Sequence, residues 1–170
     1  MGQRPTSKAC RFMDLVRSID VRLRRLLRPL FYSIRFWPAR GKATAARLKL
    51  GRTGEILAAG YLRRSGFRIL YKNFKARRGG EIDLVCRDRR EATLVFVEVK
   101  TRTTDAFGAP HLAVTQAQRQ RIIRGAKEWL RLLNDPRVPY RFDVVEVLMK
   151  PVPQINLIRG AFQMPDDIYL

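Results

Sequence analysis

Histidine occurs once in these 170 residues, at His111, and cysteine twice, at Cys10 and Cys86. One histidine supports neither a His-rich metal centre nor a conventional Ser/His/Asp triad. The two cysteines lie far apart and form neither a CxxC pair nor a disulfide framework, so a reducing compartment, the cytoplasm, is the expected location. No GxxxxGK(S/T) or GxGxxG phosphate loop is present. No run of about 18 apolar residues is available to span a bilayer, and arginines interrupt every apolar stretch that could serve a secretory signal. Acidic residues are also scarce, 15 Asp and Glu against 35 Lys and Arg. If the chain does chemistry, its few carboxylates must carry most of it.

What is present is the balance of a globular protein, 46% apolar and 29% charged residues, at a length suited to one domain with an appendage. The net charge of +20 favours polyanionic partners, nucleic acid or an acidic membrane, and says nothing about fold. This charge is unevenly spread. Residues 1–50 hold 13 basic and 2 acidic side chains (+11), and residues 51–170 hold 22 and 13 (+9).

Within the first part, Leu15, Ile19, Leu23, Leu26, Leu30 and Ile34 recur at spacings of three and four among arginines, the pattern of a basic amphipathic helix. Pro29 must kink or end it, and Phe31, Tyr32, Phe36 and Trp37 follow as an aromatic cluster. Residues 1–46 therefore read as a basic arm and linker. Three roles fit the arm: a helix on an anionic membrane surface, a nucleic-acid-binding arm, and an unstructured extension, since Met13 could also start the chain. The domain is expected over 47–170.

There the pattern predicts a helix over 51–66 with Thr53 as N-cap and Ile56, Leu57 and Leu62 as apolar positions. Its small residues Ala58, Ala59 and Gly60 suit close packing on a sheet. Strands are predicted over 67–74, 81–87 and 93–102, the first two joined by a basic flexible loop, KARRGG (75–80). A second helix is predicted over 115–133, with Ile122, Ile123, Ala126, Trp129, Leu130 and Leu133 on its buried face, and strands over 141–149 and 155–162 close the domain. The order is αβββαββ, an α/β fold with a mixed five-stranded sheet flanked by helices.

The chemistry concentrates in the strand LVFVEVKTR (94–102). Alternation puts Leu94, Phe96, Glu98 and Lys100 on one face and Val95, Val97, Val99 and Thr101 on the other. Both faces begin apolar, so the strand is buried on both sides, and Glu98 and Lys100 then enter abruptly, about 7 Å apart. Charges there need partners. In the preceding strand Asp83, Val85 and Arg87 share a face, and a hairpin matching 85 with 96 and 87 with 94 sets Asp83 opposite Glu98, their Cβ atoms about 5 Å apart. Two carboxylates that close call for a proton or a cation. Mg²⁺ or Mn²⁺ suits an oxygen-rich site that leaves positions to water and phosphate. Lys100 could orient an attacking water or steady phosphoryl charge, so metal-assisted phosphodiester hydrolysis is the reaction the grouping suits. Glu55, in the first predicted helix, has a simpler explanation as a carboxylate near a helix N-terminus. Asp143 and Glu146 read as strand-end or solvated acids, and His111 as a loop residue.

The motifs GRTGEILAAGYL (51–62), GFRILYKNF (66–74), GEIDLV (80–85), VFVEVKTR (95–102), FGAPHLAV (107–114) and RFDVVEV (141–147), in that order, resemble the bacterial YraN family. That family is placed in the restriction-endonuclease-like PD-(D/E)xK superfamily, near the Holliday-junction resolvases. The resemblance covers about Arg47 to Phe162. It implies that Asp83 and Glu98 are metal ligands, with the Val99 carbonyl a third, and that Lys100 is the catalytic lysine. It also implies that Glu55 is the first-helix acid that supports the metal's water. Gln116 and Gln118 fall where relatives carry a polar residue near the site. Lys is common in the family where Gln118 stands, so the amide implies a weaker phosphate contact. Ile82 stands where the superfamily name has Pro.

The expectation is therefore a metal-dependent endonuclease acting on structured or branched nucleic acid, DNA favoured over RNA. Phosphate contacts are expected from Lys75, Arg77, Arg78, Arg102, Arg119 and Arg121, with Gln116 and Gln118 beside them. The alternative is a non-catalytic nucleic-acid-binding module on the same fold. The oligomeric state is open, a homodimer among the options.

Overall fold

A computed structural model describes residues 45–103, 114–135 and 137–165. The N-terminal helical repeat, Cys10, the FGAPH segment and His111 lie outside the described residues. Seven elements follow in the expected order: α1 (Ala45–Arg64), β1 (Phe67–Lys75), β2 (Glu81–Asp88), β3 (Thr93–Arg102), α2 (Gln116–Leu133), β4 (Tyr140–Leu148) and β5 (Gln154–Phe162). The strands form one sheet in sequence order, with β3 and β4 parallel and every other neighbouring pair antiparallel. A parallel pair needs a crossover, and α2 supplies it. This is the mixed α/β sheet of the restriction-endonuclease-like fold.

Helix α1 starts six residues earlier than its sequence signals suggest. Ala45, Ala46, Arg47, Leu48, Lys49 and Leu50 are all good helix formers, so the helix runs through Gly51 rather than starting there. Arg47, the expected start of the domain, lies in its first turn. Thr53 is consequently no N-cap; its hydroxyl donates back to the Lys49 carbonyl at 3.0 Å. The buried stripe is Gly54, Ala58, Ala59 and Leu62, while Ile56 is 66% exposed. Small residues decide this face, because α1 lies close on the sheet: a Cβ at Gly54 would come within 1.8 Å of the Thr101 Oγ1. Ala58, Ala59 and Leu62 pack on Leu84, Cys86, Val95, Val97, Val145 and Val147. Cys86 is a free thiol buried in that layer, where loss of hydration pushes its ionisation far up.

The other face carries α2. Thr115 caps it through a capping box with Gln118, and Asn134 ends it in the left-handed conformation. Ile122, Gly125, Ala126, Trp129, Leu130 and Leu133 are buried, and Ile123 only half so. Trp129 meets Phe74 edge-on at 5.0 Å and Tyr71 at 5.7 Å, and Phe142 stacks on Phe162 at 4.7 Å. The KARRGG segment closes as a hydrogen-bonded turn. Ala76 N–H donates to the Gly80 carbonyl at 2.8 Å, Gly79 takes a positive φ of 74°, and the turn rests on α2. A Cβ on Gly80 would lie 2.3 Å from the Gly125 amide nitrogen, so two glycines permit the contact.

Strands β2 and β3 take the expected register, Val85 opposite Phe96 and Arg87 opposite Leu94. Asp88 also pairs with Thr93, leaving a four-residue turn, 89–92, with Ala92 at φ 53°. The Asp88 carboxylate organises that turn by accepting the N–H groups of Arg90 and Glu91, at 2.9 and 3.3 Å. It also accepts Arg141 at 2.9 Å and Arg159 at 2.8 Å, and both arginines reach Glu91 as well. Burial pulls the Asp88 carboxyl upward, but Arg141 and the two turn N–H groups outweigh it and hold the group below the usual carboxylate range. Asp143, expected from sequence to be solvated, is fully buried, bound by Arg141 Nε at 3.0 Å and by the Gly160 N–H at 2.9 Å. The network ties the β2–β3 turn to β4 and β5, at the end of β2 away from Asp83.

Candidate active site

The pairing of β2 with β3 runs from Asp88 opposite Thr93 to Leu84 opposite Val97 and stops, although both strands go on. Past that point the Asp83 side chain takes over as acceptor. Its Oδ2 receives the Val99 N–H at 2.7 Å. A cavity of about 330 Å³ opens here, bounded by Asp83 and Glu81 of β2, Glu98, Val99 and Thr101 of β3, the start of α1 (Arg47, Leu50, Gly51, Glu55) and the start of α2 (Gln118, Arg121, Ile122).

The carboxylates make the cavity electrostatically unbalanced. The Asp83 carboxyl is raised from 3.8 to about 7, mainly by burial and next by the negative charge of Glu98; the Val99 N–H opposes the rise, and Glu55 and Glu81 add smaller upward contributions. Glu98 Oε1 accepts Lys100 Nζ at 2.8 Å, and both side chains are largely buried. Glu55 stands on α1 with its Oε2 accepting Asn73 Nδ2 at 3.2 Å. Asn73 has φ 53°, a break in the regular alternation of β1. Glu55, Asp83, Glu98 and Val99 thus line one cavity, with Lys100 attached through Glu98. They form no cage of three: among the described residues no group of three or more His, Cys, Asp and Glu is placed to hold a metal ion. The donor set still suits a hard cation, since Mg²⁺ binds through one or two carboxylates and keeps several waters.

The expected phosphate contacts divide. Arg77 and Arg78 are exposed on the β1–β2 turn, and Arg121 lies at the cavity edge. Lys75 is exposed and lies 3.9 Å from Glu81. Gln118 lines the cavity, but its side chain closes the helix cap, accepting the Thr115 N–H at 3.0 Å. Gln116 is exposed and does not line the cavity. Arg119 is half-buried; its Nε donates to the Val114 carbonyl at 3.3 Å and its guanidinium lies over the Phe162 ring, so it helps seat α2. Arg102 turns toward Glu146, 3.7 Å away.

Sequence reasoning misses Arg47, Glu81, Thr101 and Glu146. Glu81 is within its reach, two residues before Asp83 in the same strand. Glu146, expected to be solvated, is 1% exposed on β4, opposite Lys100 in the parallel register. Nothing local marks that placement, since it depends on the long crossover from Arg102 to Tyr140.

A five-stranded mixed sheet whose second and third strands part over paired carboxylates, with a lysine two residues past the second, defines a protein of restriction-endonuclease-like fold. Comparison with known sequences then identifies the family. The profile of the Uncharacterised protein family UPF0102 matches residues 54–147. A UPF0102 protein of Geobacter sulfurreducens is 46% identical over 117 residues, 68% of this chain and 89% of that protein. A UPF0102 protein of Nocardia farcinica is 47% identical over 115 residues (66% and 88%), and one of Trichlorobacter lovleyi 43% over 129 (75% and 98%). The chain belongs to UPF0102, the YraN family. No helix among the described residues is long and apolar enough to cross a membrane.

Proposed function

We propose that this protein is a divalent-metal-dependent nuclease that hydrolyses phosphodiester bonds in structured or branched nucleic acid, DNA by preference. The observation that carries the reading is the pair Asp83 and Glu98, facing one cavity where β2 and β3 part, with Lys100 hydrogen-bonded to Glu98. Asp83, Glu98 and the Val99 carbonyl would hold Mg²⁺ or Mn²⁺, with Glu55 supporting its water. The cation's contribution is to neutralise phosphoryl charge and acidify water. Four acids, Glu55, Glu81, Asp83 and Glu98, line this cavity in a chain of net charge +20. Arg47 and Arg121 at the cavity, with Arg77 and Arg78 on the neighbouring turn, would hold phosphates and make binding salt-sensitive. Lys100 would place a positive charge beside the scissile phosphate.

The test is incubation of pure protein with flap, junction, duplex and single-stranded substrates in Mg²⁺ or Mn²⁺. Cleavage is expected to fall at least about a hundredfold in Glu98→Gln and in Lys100→Met, the loss typical of removing a positioned electrostatic group. No cleavage of any substrate, or undiminished cleavage by both variants, refutes it. A second reading, a non-catalytic nucleic-acid-binding module, is favoured by the engagement of Lys100 with Glu98 and by the lack of a three-ligand cluster among the described residues. Tight, salt-dependent binding that survives EDTA and is indifferent to Glu98→Gln would select it.

A further inference from the structure

Glu146 is a carboxylate with 1% of its surface exposed, and its Oε1 has no hydrogen-bond partner among the described residues. Its other oxygen receives a long contact from Asn156 Nδ2, 3.4 Å. Arg102 is 3.7 Å from Oε1, outside hydrogen-bonding distance, and a third of its own side chain is in solvent. With Arg102 as an ion-pair partner but no hydrogen bond, this buried carboxylate oxygen is left open to a donor. Lys100 stands directly opposite Glu146 in the parallel pairing of β3 and β4, so the two side chains leave the sheet on the same face about 5 Å apart at the backbone. Its ammonium is drawn the other way, onto Glu98 Oε1 at 2.8 Å.

Lys100 therefore sits between two acids on one face, one at position 98 of its own strand and one across the ladder. Glu98 is also the residue that a divalent cation would claim, and a cation and an ammonium compete for the same oxygen. We propose that Glu146 is the alternative anchor of Lys100: when a divalent cation takes Glu98, the Lys100 ammonium transfers its hydrogen bond to Glu146 Oε1. Glu146 is thus a positioning residue that acts through Lys100. The transfer rests on the metal-site reading above. The role falls to an acid that neither lines the cavity nor follows from the ExK motif.

The consequence is a coupling that can be measured without any cleavage. Mn²⁺ affinity of the full chain is read by electron paramagnetic resonance. Lys100→Met is expected to tighten Mn²⁺ binding by removing the competitor for Glu98. Glu146→Gln is expected to weaken it roughly tenfold, since a neutral amide oxygen holds the Lys100 ammonium less tightly than a carboxylate does. In the Lys100→Met background Glu146→Gln should change nothing. A Glu146→Gln protein that binds as wild type, or a loss equal in both backgrounds, overturns the proposal and leaves the metal site standing. A wild-type chain that binds no Mn²⁺ removes the metal-site reading and this one with it. Should Glu146→Gln not fold, NMR of the wild type decides: with Mg²⁺ saturating, the through-hydrogen-bond coupling of Lys100 Nζ should move from the Glu98 carboxyl carbon to that of Glu146, and a coupling that stays on Glu98 overturns the transfer.

Discussion

Replacing Asp83 by an asparagine should make this protein more stable at neutral pH. The Asp83 carboxyl is raised from 3.8 to about 7, first by burial and then by the charge of Glu98. Between those values the native state holds a proton that the unfolded chain has released, so stability falls as pH rises through the window. The contribution of protonation is complete below about 3.8 and gone above about 7. A shift of roughly three units corresponds to an upper limit of about 4 kcal/mol, and water in the open cavity reduces this to about 2 kcal/mol. The amide of the variant would keep a carbonyl oxygen to accept the Val99 N–H, which lies 2.7 Å from the Asp83 carboxylate, while carrying no charge. Urea unfolding in EDTA at pH 5, 6, 7 and 8 is the assay. Asp83→Asn should be the more stable by under about 1 kcal/mol at pH 5 and by about 2 kcal/mol at pH 8. Parallel curves, or a less stable variant at pH 8, would refute the electrostatic account of the site.

Packing and the distal charge network can be probed in the same denaturation assay. Gly54→Ala should cost about 1–3 kcal/mol, because the new Cβ meets Thr101, and adding Thr101→Ala should recover a good part of it. Gly80→Ala should cost at least as much with no such rescue, since its obstacle is the backbone at Gly125. Arg141→Met takes the paired guanidinium from buried Asp143, leaving it the Gly160 N–H, and removes one of two arginines from Asp88, and a loss of about 3–5 kcal/mol is expected at pH 7, shrinking as the pH falls through the carboxylate range.

The hairpin of β2 and β3 is legible in the sequence because alternation restricts its register to one parity, and matching Val85 with Phe96 and Arg87 with Leu94 leaves a workable turn. The start of α1 is misplaced by the same kind of reasoning for an equally physical reason. Gly51 and Thr53 look like a helix boundary, yet every residue from Ala45 to Leu50 is a strong helix former, and tertiary contact at Gly54 holds the whole helix against Thr101. Hydrophobicity turns Ile56 inward, but the close approach of helix to sheet favours Gly and Ala at the contact and leaves Ile56 outside. Asp143 and Glu146 read as solvated because acids at strand ends usually are. Their burial depends on Arg141 and Gly160 for one and on the neighbourhood of Lys100 for the other.

The scarcity of histidine and cysteine, the alternation along β3 and the abrupt entry of Glu98 and Lys100 already determined where the carboxylates of interest lie and which of them share a face. These are local properties, set by the two-residue period of a strand and by the cost of burying charge. Only the tertiary structure decided that β2 and β3 part beyond Leu84 and Val97, so that Asp83 turns to the Val99 amide and a cavity forms between the starts of two helices. It also decided that Glu146 lies beside Lys100, because strand order and the parallel crossover through α2 are set by how whole elements pack, and no short stretch of residues contains them.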